Sequence, residues 1–202
     1  MTLVLTGYTD AYAPLGELTA PRWREYCDRH GYRFKLVRDY SPPNHPCTEK
    51  LRHIVEALPT TDTLFWIGCD CLPTNPSIPL PVTLGQFEIA LSRDWYWGAK
   101  LGSTDAILVR NTPLMLSLFR DAYALPQKPC VGGYDLTALA QCFARNPEYS
   151  KRLVILPARR FQAVPRECGF PNNSDPWAPG DFVMHVTGIP LEKRIEIARK
   201  YL

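Results

Sequence analysis

Apolar residues fall along this chain in short blocks, and the blocks alternate between two periods. Leu3-Val4-Leu5 is a brief apolar run that stops at Thr6-Gly7, the pattern of a first strand running into a polar loop. Pro21 is placed to open a helix in which Trp23, Tyr26, Cys27 and His30 recur at helical spacing, and Gly31 closes it. Over 32–37, Phe34 and Leu36 alternate with Arg33 and Lys35, which predicts a second strand. Strand, helix, strand is how a doubly wound α/β sheet begins. Thr48 is placed to cap the next helix, whose Leu51, Ile54, Val55 and Leu58 share one face. Leu64-Phe65-Trp66-Ile67 then runs without a polar break and ends at Gly68-Cys69-Asp70, as a strand buried on both faces does.

The second half is more mixed. Strands are predicted over 87–91, 106–110, 153–156 and 182–186. Helices are predicted from Thr112-Pro113 to about Ala124, over 135–145 and over 191–202. Between them lie proline-rich stretches at 39–46, 73–81, 126–133 and 161–179, with Gly132-Gly133 as a hinge. The expected fold is α/β, a mixed Rossmann-like sheet flanked by helices, in a single domain spanning 1–202.

Composition narrows the partners. The 202 residues suit one domain. A net charge of +3, with no Lys/Arg run interleaved with aromatics, argues against nucleic acid. Lys193, Arg194, Arg199 and Lys200 read as a solvated helix face with at most a minor part in meeting phosphate. No apolar run suits a signal peptide or a membrane span, so the expectation is a soluble, cytoplasmic protein without a transmembrane segment. The seven cysteines form no C-x-x-C pair and are expected to be reduced and mostly buried. Cys69 and Cys71 flank Asp70 at a spacing too close for structural zinc.

Two segments carry the candidate chemistry. Asp70 follows an apolar strand, and ligands in open α/β sheets sit beyond the carboxyl ends of strands. Its oxygens suit a hard cation such as Mn²⁺ or Mg²⁺. Far along the chain, Phe182-Val183-Met184-His185-Val186 places one histidine in an apolar strand before a small-residue turn at Thr187-Gly188. Imidazole is a common metal ligand, although a histidine so placed is more often part of the core.

Together the two segments carry a resemblance. Trp66 through Asn75-Pro76 resembles the W-x-D-x-D-x-x-x-x-N-P run of the retaining galactosyl-, xylosyl- and mannosyltransferases of plants and fungi. Trp177, Pro179, Gly180, Asp181, Phe182, His185 and Gly188 match that family's W-x-P-G-D-F-x-x-H-x-x-G. Weaker matches lie at Lys50, Ser92-Arg93-Asp94, Leu108-Val109-Arg110-Asn111 and Asp135 to Leu139. The resemblance implies a GT-A fold and Mn²⁺-dependent transfer, with retention, from a nucleotide sugar, UDP- or GDP-linked with UDP favoured, to a glycan or other hydroxyl acceptor. It implies Asp70 and His185 as metal ligands. Thr6, Tyr8, Lys50, Asp70 and Gly188 are the expected donor-binding residues, and Asp135 is the catalytic group near the anomeric carbon or the acceptor. The alternative is a catalytically inactive or metal-independent domain that binds a nucleotide sugar or glycan. Three departures stand out: Gly68 replaces the first Asp of the D-x-D pair, Ser103-Thr104-Asp105 replaces Asn-Thr-Gly, and Leu136 replaces Gln. If the lost carboxylate matters, Gly68→Asp is expected to tighten the metal or the nucleotide. Acid is expected to compete with the metal below about pH 6.5, the ordinary histidine value.

Overall fold

A computed structural model describes residues 1–40, 44–81, 84–93, 102–126, 134–170 and 173–202. The chain passes through β1 (Thr2–Gly7), α1 (Ala13–His30), β2 (Arg33–Val37), α2 (Pro46–Ala57), β3 (Thr63–Gly68) and β4 (Cys71–Pro73). It continues through β5 (Ile89–Arg93), β6 (Gly102–Arg110), α3 (Pro113–Ala124), α4 (Tyr134–Arg145) and α5 (Pro147–Lys151). It ends with β7 (Leu153–Leu156), α6 (Ala158–Phe161), β8 (Val183–His185) and α7 (Leu191–Tyr201).

Six strands form one sheet in the order β2-β1-β3-β6-β5-β7. β2, β1 and β3 run parallel, β6 is antiparallel to both β3 and β5, and β7 is parallel to β5. The mixed sheet flanked by helices agrees with the expected architecture. Alternation along the strands explains the uninterrupted apolar runs, because both faces are covered. Leu3, Leu5, Leu64, Trp66, Ile107 and Val109 point into a core with residues of α2, α3 and α4. Val4, Phe65, Ile67, Ala106 and Leu108 point the other way, against Trp23, Tyr26 and Cys27 of α1. β4 and β8 make a separate antiparallel pair, Cys71 opposite His185, and a third core joins Leu72, Met184 and Val186 to Leu15 and Ala198.

The boundaries depart from the sequence reading in instructive places. α1 begins at Ala13, with Pro14 in its first turn, and Pro21 lies inside it. An internal proline removes one helical hydrogen bond. Here its ring is exposed while Trp23 and Tyr26, one turn on, are fully buried and hold the helix. Thr48 is not the cap of α2. The His45 side chain accepts from the Cys47 amide, Pro46 takes the first turn, and Thr48 is buried within the helix. The strand expected at 182–186 is the shorter β8, and it pairs outside the main sheet. Gly132-Gly133 and Asp94 lie outside the described residues. Among the described residues no helix is long and apolar enough to cross a membrane. Among the described residues six cysteines are free thiols, and four of them are buried.

Gly16 shows how closely α1 sits on the loop after β1. A Cβ at Gly16 would overlap the Tyr8 ring. Alanine is the better helix former by about 1 kcal/mol, yet Gly16→Ala is expected to destabilise the fold by about 1–3 kcal/mol, the usual cost of overpacking. Urea denaturation of the two proteins checks the sign.

Candidate active site

The carboxyl ends of β1 and β3 open into a cavity of about 270 Å³ lined by Gly7, Tyr8, Tyr12, Trp66, Gly68 and Asp70, among others. The first turn of α2 also faces it, through Pro46, Cys47 and Lys50. The positive dipole end of α2 favours an anion there, although its first-turn amides are engaged, Cys47 with His45 Nδ1 and Thr48 and Glu49 with the His45 carbonyl. The walls are largely aromatic and the floor is charged, as in sites that take a ligand with one apolar and one ionic part.

Asp70 is held by its backbone as much as by its side chain. The Thr19 hydroxyl of α1 donates to the Cys69 carbonyl at 2.8 Å, and the Trp23 indole donates to the Cys71 carbonyl at 2.8 Å. The Asp70 carbonyl accepts from the Val186 amide at 2.8 Å. α1 and the segment after β8 therefore fix the turn from both sides. Asp70 Oδ2 accepts from Arg194 of α7 at 2.8 Å and lies 3.6 Å from His185 Nε2. Burial alone would raise the Asp70 carboxyl, but the His185 and Arg194 charges outweigh it and hold the carboxyl below its ordinary value.

His185 is delivered by the small sheet, and its ring is almost wholly buried. Nε2 also lies 3.6 Å from Asp105 Oδ2, so it sits between two carboxylates. At that length neither contact is a hydrogen bond, and this nitrogen has no hydrogen-bond partner among the described residues. Burial works against the charged imidazole, but Asp70 and Asp105 raise its pKa overall. A buried nitrogen facing two carboxylates and satisfied by neither suits a cation. Asp70, Cys71 and His185 each place one potential ligand atom within 4.8 Å of the others, while Asp105 approaches His185 from outside that group. Burial pushes the Cys71 thiol well up, and a hard cation prefers the oxygen and nitrogen donors of Asp70 and His185.

The sequence motif around His185 is structural in its first half. The Trp177 indole donates to the Thr74 hydroxyl at 3.0 Å, and the Asn75 side-chain amide donates to the Gly180 carbonyl at 2.9 Å. Asp181 pairs with Arg159 through both carboxylate oxygens. The first two contacts pin the loop before β8 to the loop after β4, the third ties it to α6, and together they bring His185 opposite Asp70.

The other expected residues separate into two groups. Tyr8 lines the cavity, with the Arg38 guanidinium 4.2 Å above its ring. Lys50 lines it too, but its charge is already engaged. Nζ contacts Asp135 at 2.6 Å, the Thr104 carbonyl at 2.8 Å and Asp105 at 3.5 Å. Burial opposes the Lys50 charge, yet Asp135 and Asp105 raise its pKa overall. Asp135, in the first turn of α4, is 3% exposed and is not a lining residue; it reaches the cavity only through Lys50. Thr6 is buried within β1 behind the cavity. Gly188 turns the chain at φ 71°, where a Cβ would overlap Phe170, and it too stands off the cavity.

Sequence reasoning missed Asp105 and Arg194 as site residues. Arg194 reads as part of a solvated face, and only its place early in the last helix, just after the Gly188 turn, hinted otherwise. Asp105 reads as a departure from a family pattern, and its approach to His185 depends on strand pairing.

This architecture is that of the GT-A glycosyltransferases. A glycosyltransferase involved in glycosylation of the major capsid of PBCV-1 superposes with a TM-score of 0.75 at 15% identity, covering 98% of this chain and 98% of that one. The galactosyltransferase LgtC in complex with donor and acceptor sugar analogs gives 0.57 at 12% identity, covering 100% and 96%. A Drosophila beta1,4-galactosyltransferase 7 mutant in complex with manganese, UDP-Gal and xylobiose gives 0.50 at 13%, covering 93% and 71%. At these identities the likeness defines the fold. No protein-family model matches the sequence, and no curated protein matches it.

Proposed function

We propose that this chain transfers a sugar from a nucleotide sugar, UDP-linked, to a hydroxyl of a glycan or small acceptor, with retention and with Mn²⁺ or Mg²⁺ as cofactor. It would be a relative of the retaining galactosyl-, xylosyl- and mannosyltransferases that the two motifs resemble, with 1–202 as one transferase domain. The observation that carries the reading is the buried His185 Nε2, unsatisfied and 3.6 Å from each of two carboxylates, Asp70 and Asp105, that line an aromatic cavity. Solved glycosyltransferases of this fold hold donor and acceptor sugars, and one holds manganese.

Asp70 and His185 would hold the cation. When bound, it would offset the charge that grows on the diphosphate leaving group. Tyr8 and Tyr12 offer ring faces to the base. The α2 N-terminus and Lys50 face the phosphates. Asp135 fixes Lys50 and thereby the anionic end of the donor, so the catalytic part expected of it is exerted through that lysine. Thr6 and Gly188 serve donor binding from behind, by setting the course of β1 and of the turn after β8. A second reading has its own observation. Arg194 already occupies Asp70 at 2.8 Å, so the guanidinium itself could meet the diphosphate without metal.

Titration calorimetry of UDP and a panel of UDP-sugars, in Mn²⁺ and in chelator, separates the two readings. Binding only in Mn²⁺ supports the first; equal binding in chelator supports the second. Retention is read from the anomer of the product. The pH dependence adds a sharper check. A protonated imidazole cannot ligate, and the neighbouring carboxylates raise His185. Mn²⁺ affinity is therefore expected to fall with acidification through a midpoint above about 6.5, the ordinary histidine value. This is higher than the sequence alone suggests. A flat profile between pH 6 and 8 sinks His185 as a ligand.

A further inference from the structure

We propose that Asp105 supplies, from the neighbouring strand, the second metal-binding carboxylate that β3 lacks at Gly68. This rests on the divalent-cation reading above and assigns a ligand within that site.

β3 and β6 pair antiparallel with Ile67 opposite Ala106. One step further along the same register, Gly68 faces Asp105. The two positions touch. A Cβ at Gly68 would lie 3.6 Å from the Asp105 Cβ and 2.9 Å from Asp70 Oδ1. Any side chain there would crowd the space between the two carboxylates. The missing side chain is therefore the room through which Asp105 reaches the site. Its Oδ2 lies 3.6 Å from the buried, unsatisfied His185 Nε2 and accepts from the Ser103 hydroxyl at 3.4 Å. Its Oδ1 lies 3.5 Å from Lys50. Lys50 and Ser103 thus hold the carboxylate in place, while its side chain stays 40% exposed toward the cavity. A hard cation takes oxygen donors irrespective of which strand carries them. Two changes that read separately as losses, Gly68 in the first motif and Asp105 in place of glycine in the next, are one relocation of charge across the strand pair.

The test reads metal binding directly, by Mn²⁺ electron paramagnetic resonance on the protein without nucleotide. Asp105→Asn keeps the size of the side chain and removes its charge. It is expected to weaken Mn²⁺ on the order of tenfold to a hundredfold, with melting temperature reported alongside. Gly68→Asp combined with Asp105→Gly, which vacates the space, is expected to bind Mn²⁺ more tightly than Asp105→Gly alone, because the carboxylate returns to the same space from the other strand. Gly68→Asp alone is expected to gain nothing, in contrast to what the bare motif suggests, since the place is already taken. Asp105→Asn that binds Mn²⁺ like the parent, while Asp70→Asn does not, overturns the assignment and leaves the metal site standing. Tighter Mn²⁺ binding by Gly68→Asp alone overturns it too, and does so even if Asp105→Asn fails to fold. A parent protein that binds no Mn²⁺ overturns the cation reading itself along with this one.

Discussion

Replacing Lys50 with alanine is expected to lower the free energy of unfolding by about 3–5 kcal/mol. The lysine is buried, and its ammonium is the direct partner of Asp135 at 2.6 Å, whose own side chain is 4% exposed. Without it a carboxylate is left in the interior with no counter-charge, and Asp105 loses a neighbour at 3.5 Å. The Thr104 carbonyl also loses its donor. Removing both charges is a milder change than removing one. Lys50→Met with Asp135→Leu is therefore expected to retain more stability than Lys50→Met alone. Guanidinium denaturation of the parent, the two single variants and the double variant gives the coupling directly. Additive losses would mean that the pair is not a unit and that Asp135 is held by other groups.

Asp70→Ala is the second large effect. If Asp70 holds the cation as proposed, Mn²⁺-dependent affinity for a UDP-sugar is expected to fall on the order of a hundredfold, because that carboxylate is gone. Two cations lose their anion at the same time, Arg194 at 2.8 Å and His185 at 3.6 Å. A stability loss of about 1–3 kcal/mol is expected from leaving charged groups unsatisfied. The pH profile should change as well. With one of its two carboxylates missing, His185 loses the larger of the influences that raise it, so any residual metal binding should titrate at a lower pH than in the parent. Calorimetry at several pH values measures both. Undiminished Mn²⁺-dependent affinity would remove Asp70 from the metal site.

Much of the fold is legible along the chain because its signals are local. The apolar runs of β1 and β3 and the faces of α2 and α4 are set by periodicity within a few residues. Strand direction is not local. Nothing in Ala106 to Arg110 says that β6 will insert antiparallel between β3 and β5, and the whole approach of Asp105 to Gly68 follows from that insertion. β4 is only three residues long and exists because β8 pairs with it. Pro21 looks like a helix start because proline usually is one; tertiary burial of Trp23 and Tyr26 overrode it. For the site, Asp70 and His185 were visible as residue types at the ends of strands. The burial of Lys50 between Asp135 and Asp105 was not, since it depends on α2, α4 and β6 meeting.

The small sheet gives the molecule a division of labour in time. All six strands of the main sheet lie within residues 2–156, and the core they share with α2, α3 and α4 draws on that stretch alone, whereas the core against α1 also takes in Phe161, Phe182 and Val183. The site, by contrast, waits for β8 and α7, which bring His185 and Arg194 back to Asp70 across a long loop closed late and at an entropic cost. Local opening of α7, whose apolar contacts lie in the third core, would take Arg194 from the charged floor while the main sheet stays folded. The charged floor can thus be lost before the sheet is, and the temperature at which α7 opens sets an upper limit on the temperature at which the site stays assembled.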